Sequence, residues 1–204
     1  MGMHEYTVIG HDRKKIYYFL AFLSGGVSPL LAGLISQASN STSIPLIAPS
    51  GLALFGLIFL LFDHFLWKWS LFYKIGVIKI PNLSGQWNGQ IISSKQPQQK
   101  IPTIVTIYQT YSSIRIRLET QYARSISLMA VFEMVDPACF NLSYEYLSEY
   151  RSPQGDISRH YGVARLDLKI DDDRVDREQR GYYYTEKKRD ACGEIILENR
   201  VKRN

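Results

Sequence analysis

The chain has 204 residues and carries 24 Lys and Arg against 19 Asp and Glu, so its formal net charge at pH 7 is +5. This length is enough for one ordinary globular domain and little more. Because 13 % of the residues are aromatic and only two are cysteines, the composition excludes both a disordered chain and a disulfide-stabilised scaffold.

The N-terminal third is predicted to cross a membrane twice, after a basic segment of residues 1–15. No charged residue occurs between Lys15 and Asp63. Two apolar stretches, at about 16–37 and 46–67, each reach the roughly 20 residues that a helix needs to span a bilayer. A cleavable signal peptide at the first stretch is the alternative. The apolar region of a signal peptide has only about 7 to 15 residues, however, and here a second apolar stretch follows.

The charges that flank the spans predict that both termini are cytoplasmic. The basic residues 13–15 precede the first span, and Lys68 and Lys74 lie in the linker 68–80 that follows the second. The connecting segment 38–45 has no charge. Lys and Arg concentrate on the cytoplasmic side of membrane spans, so the charge pattern predicts a helical hairpin with its connection outside the cytoplasm.

Two features of the spans each allow two interpretations. Gly25, Pro29 and Gly33 recur every four residues and share one helical face, which is either a surface for close helix packing or an ordinary lipid-facing surface. Asp63 and His64, at the end of the second span, either belong to an ion-conducting path or simply reach the membrane interface.

Residues 81–204 are predicted to form an all-β domain, an eight-stranded antiparallel barrel. Apolar and polar residues alternate along this half with a period of two, which is the pattern of half-buried strands. In 114–118, for example, Ile and Leu alternate with Arg. Closure into a barrel is favoured over a sandwich because it leaves no exposed edge. The predicted strands span residues 86–93, 101–109, 114–118, 126–134, 140–146, 164–170, 181–185 and 194–201.

Alternation also predicts which side chains share a face. Tyr144 and Tyr146 share the apolar face of their strand, and His160 shares the apolar face of the next one, so all three are predicted to point into the barrel. The even-numbered residues of 126–134 are predicted to lie together on one face. Trp87, at the start of the first strand, is predicted to fill the closed end of the barrel.

Catalytic and metal-binding patterns are absent from the sequence. The four histidines have no second ligand at metal-binding spacing. The acidic run 171–173 lacks the glycine and the final glutamate of a calcium-binding loop, so a solvated turn is favoured. No nucleophile elbow or phosphate-binding glycine loop occurs. The sequence therefore predicts neither an enzyme nor a metal or cofactor site.

The residue types of the C-terminal domain favour a small ligand that contains bases and phosphates. After Ile80 there are ten tyrosines, and 18 Lys and Arg stand against 16 Asp and Glu. This charge excess is too small for an extended nucleic-acid surface, so no DNA or RNA partner is predicted. Tyrosine faces can stack on bases, and cationic or amide side chains can bind phosphate.

Short motifs in a particular order resemble a known family. They are 83–89 (LSGQWNG), 107–109 (IYQ), 160–162 (HYG), 181–185 (GYYYT) and 192–197 (CGEIIL). Together with the preceding hairpin, they make the chain similar to the two-transmembrane, β-strand-rich effectors of bacterial cyclic-oligonucleotide-based antiphage signalling systems (CBASS).

The resemblance implies a lipocalin-like barrel that binds a cyclic oligonucleotide made by a CD-NTase. It further implies a homo-oligomer that assembles through the transmembrane helices on activation, contacts the lipid bilayer and disrupts the cell inner membrane. No cofactor is implied. A domain that begins near Ile80 is expected to fold without the membrane and to bind the nucleotide. The candidate ligand-binding residues are Tyr108, Gln109, Tyr146, His160, Arg180, Tyr183, Thr185 and Lys188.

The alternative function is a membrane-tethered, lipocalin-like carrier or sensor of an apolar small molecule. Such a protein requires a barrel interior lined almost entirely by aliphatic side chains. Tyrosine, histidine and glutamine on the predicted inner faces argue against it. An ion conductor built on Asp63 and His64 is a third possibility.

Overall fold

The computed structural model describes residues 2–42, 47–136, 138–151, 156–171, 174–175, 178–186 and 191–201. The chain forms two compact units. One unit is the helical segment 12–77, and the other combines residues 1–11 with residues 78–204.

The helical unit consists of two long apolar helices and two short ones. The helices are α1 (Arg13–Thr42), α2 (Gly51–His64), a 3-10 turn (Leu66–Lys68) and α3 (Ser70–Lys74). The side chain of Ser50 caps α2 by accepting a hydrogen bond of 3.2 Å from the backbone N–H of Ala53. By length and composition, 13–41 and 51–68 can each cross a bilayer, in agreement with the two predicted spans.

Within the helical unit, α1 and α2 pack against each other through side chains. The rings of Tyr17 and Phe59 meet edge to face with their centroids 5.7 Å apart. A Cβ atom at Gly51 would lie 3.9 Å from the side chain of Ser28, whereas one at Gly25 or Gly33 would have no atom within 4 Å. The helix face that carries these two glycines is therefore not packed against the described residues of the hairpin.

Eight strands of the second unit close into a ring. The strands β2 to β7, β9 and β10 pair antiparallel, each with the next, and β10 pairs back with β2. This confirms the predicted eight-stranded antiparallel architecture. The strands are β1 (His4–Ile9), β2 (Gly85–Ser93), β3 (Gln96–Gln109), β4 (Ser113–Glu119), β5 (Ala123–Asp136), β6 (Cys139–Arg151), β7 (Ile157–Asp171), β8 (Arg174–Val175), β9 (Gln179–Thr185) and β10 (Cys192–Val201).

Strand β1, which the sequence pattern does not predict, inserts into this ring between β4 and β5. It runs antiparallel to β4 and parallel to β5. Tyr6 anchors it, because its hydroxyl donates to the carbonyl of Tyr111 at 2.9 Å and its ring meets Phe132 edge to face at 5.2 Å. The segment 1–15 therefore contributes a strand to the barrel, and a domain that begins near Ile80 lacks this strand.

A β-bulge in β5 changes which residues of this strand face the interior of the barrel, so the predicted face needs correction. The register with β6 shifts between Ser127 and Met129. Ser125 and Ser127 are buried before the shift, and Ala130 is buried after it. An extra residue exchanges the two faces of a strand. The prediction that the even-numbered residues of 126–134 share one face is therefore wrong at its N-terminal half.

Trp87 lies at the closed end of the ring, as predicted. It is only 1 % exposed, and its indole N–H donates to the carbonyl of Leu83 at 3.1 Å. The guanidinium of Arg200 lies 5.6 Å from the centroid of the indole ring and donates to the carbonyls of Asn82 and Ser84. These contacts seal this end of the barrel with a buried aromatic ring.

Candidate ligand-binding cavity

The opposite end of the barrel contains a cavity of about 810 Å³, and we call this end the open end. Each of the eight ring strands contributes at least one lining residue. The volume lies in the range of pockets that enclose small organic ligands. The lining residues are Ile91, Ser93, Lys95, Gln96, Gln99, Lys100, Ile101, Pro102, Leu118, Thr120, Gln121, Tyr122, Ala123, Ser125, Tyr144, Tyr146, Ser148, Tyr150, His160, Tyr183, Thr185, Ala191 and Ile195.

Tyrosine is the most frequent residue type in this lining. Tyr144 and Tyr146 are i, i+2 neighbours on the inner face of β6, with ring centroids 6.2 Å apart. Tyr183 is on β9, and the only residue between it and Tyr144 across the sheet is Ala164. Both rings therefore lie on the inner face of the sheet, one strand apart. The rings can therefore offer flat faces to a ligand.

Two glycines provide the space that these rings occupy. A Cβ atom at Gly162 would overlap the phenol ring of Tyr146, and one at Gly193 would lie 2.7 Å from Cε1 of Tyr183. Real Cβ contacts of this kind essentially never occur. The absence of a side chain at Gly162 and Gly193 therefore determines where the two rings lie.

The Tyr144 phenol is a hydrogen-bond donor over a wide pH range. Burial raises its pKa, and the neighbouring Tyr146 raises it further. A phenol in this environment stays protonated at physiological pH. Tyr144 can therefore donate its proton to an acceptor atom of a ligand.

A row of polar side chains crosses three strands, closer to the mouth than Tyr144 and Tyr146. Ser125 of β5 pairs with Ser148 of β6, which pairs with His160 of β7. Residues directly opposite each other on adjacent strands have Cβ atoms about 4.5 to 5.5 Å apart and lie on the same face. We call Ser125, Ser148 and His160 the polar row.

The cavity lacks acidic side chains in the part of the chain that the structure describes. None of its described lining residues is Asp or Glu. Lys95, in the turn between β2 and β3, and Lys100, at the start of β3, border the mouth. The described lining is therefore neutral to basic, which suits an anionic ligand.

The structure brings four of the eight predicted ligand-binding residues into this cavity. Tyr146, His160, Tyr183 and Thr185 line it. The Thr185 hydroxyl also closes the connection to β10, because it donates to the carbonyl of Ala191 at 2.9 Å and accepts from its N–H at 2.9 Å. This hydroxyl has no second proton to donate to a ligand.

Three of the predicted residues lie away from the cavity. Tyr108 alternates with buried residues of β3 and points outward, and Gln109 is buried at the closed end, where its side chain accepts from Leu83 N–H at 2.8 Å. Arg180 is on the outer face of β9 and donates to the Glu178 carboxylate at 2.7 Å. The eighth residue, Lys188, falls outside the described residues.

Comparison with known proteins assigns both units. Residues 78–199 match the family model described as Cap15, cyclic dinucleotide receptor domain. Residues 14–68 match the model described as Cap15, TM helices. The chain belongs to the Cap15 family. It is also 26 % identical over 210 residues to CD-NTase-associated protein 15 of Yersinia aleksiciae, with 97 % of each chain covered. The predicted resemblance to CBASS effectors is thereby confirmed.

The Cap15 assignment gives the two units their general roles. The helical unit is the transmembrane part of a CD-NTase-associated membrane protein, and the barrel is its cyclic dinucleotide receptor domain. A receptor domain implies binding rather than catalysis. The region matched to the receptor model, 78–199, contains every lining residue of the cavity. Strand β1 precedes both matched regions.

Several lining residues of this Cap15 barrel are missing from the predicted set. Tyr144 and Ser148 lie on the same strand face as Tyr146, so the alternation that placed Tyr146 inside also places them there. Ser125 could not be found in this way. It precedes the bulge in β5, so it lies on the inner face although the alternation of the residues after the bulge places it on the outer face. Lys95 lies in a turn, where alternation gives no information.

Proposed function

We propose that this protein is a membrane-anchored effector of bacterial antiphage defence. Its barrel binds a cyclic dinucleotide made by a CD-NTase, and binding drives the transmembrane helices to assemble, disrupt the inner membrane and kill the infected cell. The observation that carries the proposal is the open-end cavity. Tyrosines and hydroxyls line it, no carboxylate does so in the described part of the chain, and the region is matched by the receptor model.

The chemistry of the cavity fits the parts of a cyclic dinucleotide. Stacking of a base on an aromatic side chain contributes about 1 to 3 kcal/mol, and the rings of Tyr144, Tyr146 and Tyr183 are available for it. Hydroxyl and imidazole groups can donate to phosphate oxygens, as hydrogen bonds to charged groups are stronger than neutral ones. Lys95 and Lys100 at the mouth add positive charge where an anion enters.

The arrangement of the chain supports a topology with both termini in the cytoplasm. Strand β1 and the barrel belong to one unit, while the two spans lie between them in sequence. Both ends of the hairpin therefore return to the same side of the membrane. Basic residues 13–15 and Lys68 flank the spans on that side, which is the cytoplasmic pattern. A nucleotide made in the cytoplasm would then reach the barrel.

Activation requires that the nucleotide bind the assembled state more tightly than the resting state. A ligand with equal affinity for two states shifts neither population. In the single chain, the α1 face that carries Gly25 and Gly33 has no packing partner among the residues of the hairpin that the structure describes. Small residues allow close helix approach, so this face is available for contacts with α1 of another copy.

The polar part of the cavity argues against a carrier of apolar molecules. Ile91, Ile101 and Ile195 form an aliphatic patch where β10, β2 and β3 adjoin. The rest of the lining includes phenol, hydroxyl, amide, imidazole and ammonium groups beside further apolar side chains. A fatty acyl chain cannot form hydrogen bonds with this polar part of the wall, so its burial there is unfavourable.

Dye release from vesicles tests the proposed function as a whole. The full chain is reconstituted in vesicles of bacterial inner-membrane lipids that contain a self-quenched dye, and cyclic dinucleotides are added outside. We expect release only when a nucleotide that binds the barrel is present. Equal dye release without nucleotide would contradict the proposed mechanism. So would the absence of release when the barrel is saturated with nucleotide.

A further inference from the structure

The hydroxyl groups on the inner wall of the barrel divide into two kinds. Those of Ser127, Thr103 and Thr185 make structural hydrogen bonds. Ser127 Oγ accepts from the backbone N–H of Ile116 at 2.9 Å, and Thr103 donates to the carbonyl of Glu119 at 2.9 Å. These hydroxyls hold strands and turns together, so they are committed to the fold.

The hydroxyls of Ser125 and Ser148 make no hydrogen bond within the part of the chain that the structure describes. Both residues are less than 10 % exposed, yet both line the cavity. They face each other across β5 and β6 as direct partners. Two donors that the described fold does not use are thus held side by side on one wall of the cavity.

The position of this pair in the cavity selects the part of the ligand that it meets. Along β6, Ser148 follows Tyr146 by two residues, which places it about 7 Å closer to the mouth. Bases that stack on Tyr144, Tyr146 and Tyr183 would lie deeper in the cavity than the two serines. The sugar–phosphate ring from which the bases project would then lie at the level of the serines.

The chemistry at this level points to a phosphate rather than to a base edge. A phosphodiester has only acceptor oxygens, and a serine hydroxyl can rotate to donate to one of them. No carboxylate that would repel an anion is among the described lining residues. We propose that Ser125 and Ser148 together bind one phosphodiester of the cyclic dinucleotide. This inference rests on the proposed function.

Sulfur substitution in the ligand, combined with serine substitution in the protein, tests the pairing. Full-length protein in lipid nanodiscs is titrated calorimetrically with cyclic di-AMP, cyclic di-GMP, cyclic di-UMP and cyclic triadenylate. The tightest binder is then compared with its phosphorothioate counterparts of both configurations, in which sulfur replaces a non-bridging oxygen and accepts hydrogen bonds poorly. The variants are S125A, S148A and the control S143A, which lies on the outer face of β6.

We expect S125A and S148A each to weaken binding of the parent nucleotide about 10- to 100-fold, as for loss of a hydrogen bond to a charged group. S143A should bind like the wild type. One phosphorothioate should bind the wild type more weakly than the parent nucleotide does. For that analogue, S125A and S148A should weaken binding by a much smaller factor than they do for the parent. Thermal melting of each variant, expected to be unchanged, shows that the barrel is intact.

The outcomes separate this inference from the proposed function. Equal losses for the parent and the sulfur analogue, or wild-type affinity in S125A and S148A, would overturn the serine–phosphodiester contact while nucleotide binding stands. Wild-type protein that binds none of the four nucleotides would overturn the proposed function, and the inference with it.

Discussion

Tyr146 is the residue whose ring most directly connects the fold to ligand binding. It lines the cavity, and its ring lies over Gly162. We expect Tyr146→Ala to weaken binding of a cyclic dinucleotide about 5- to 150-fold through loss of base stacking, measured by calorimetric titration of the full chain in nanodiscs. The matched control is Tyr182→Ala, because Tyr182 is on the outer face of β9 and half exposed. Equal weakening by both variants would contradict the location of the site.

Tyr144 gives the barrel a specific response to alkaline pH. Burial raises the pKa of its phenol above the ordinary value of 10.0. Above about pH 10 the unfolded chain therefore loses this proton while the native state keeps it, and stability falls as pH rises. We expect Tyr144→Phe to reduce this fall, measured as the change in guanidinium unfolding midpoint between about pH 8 and about pH 11. Parallel pH profiles of the two proteins would contradict the assignment to Tyr144.

At the scale of elements, strand β1 adds to the barrel a segment that precedes the two spans in sequence. Tyr6 is 4 % exposed and holds this strand against the ring. We expect Tyr6→Ala to lower the unfolding free energy by about 3 to 5 kcal/mol, as for truncation of other buried aromatic residues. Guanidinium unfolding of the full chain in detergent, followed by circular dichroism, measures this change. Thr7→Ala, on the exposed side of β1, should change it by less than about 0.5 kcal/mol. A small effect at Tyr6 would show that β1 does not stabilise the barrel.

The transmembrane element carries a second prediction. Because a Cβ atom at Gly25 or Gly33 would contact none of the described residues, leucine at both positions should leave the fold and nucleotide binding unchanged. It should abolish nucleotide-dependent dye release, since bulky side chains prevent close helix approach between copies. Leu30→Phe, which adds bulk at another exposed position of α1, is the control and should retain release. Release by the double leucine variant would identify the glycine face as lipid-facing.

Alternation along the sequence predicted four of the ring strands, at 114–118, 126–134, 140–146 and 164–170, and a ring strand lies at each of the eight predicted positions. Alternation did not reveal β1, which precedes the two spans and whose partner strands are distant in sequence. It also failed at β5, where one inserted residue exchanges the faces and places Ser125 inside. A bulge is determined by pairing with neighbouring strands, and it leaves no periodic signal of its own.

At the scale of the whole molecule, strand direction explains which predicted site residues meet. In a closed up-and-down ring, successive strands run in opposite directions. The C-terminal end of β6 and the N-terminal end of β3 therefore lie at the same end of the ring. Tyr146 lies in the second half of β6 and reaches the cavity, whereas Gln109 ends β3 and reaches the closed end. Alternation reports the face of a residue but not its height in the barrel. The height requires the topology as well.

The central claim, that the open-end cavity is a cyclic dinucleotide receptor, is tested most directly by one comparative titration. Wild-type protein in nanodiscs is titrated with cyclic di- and trinucleotides and, in parallel, with long-chain fatty acids. We predict saturable binding of at least one cyclic dinucleotide and no saturable uptake of fatty acid beyond that of empty nanodiscs. Saturable binding of the fatty acid, with no response to any nucleotide, would contradict the claim and favour an apolar-ligand carrier.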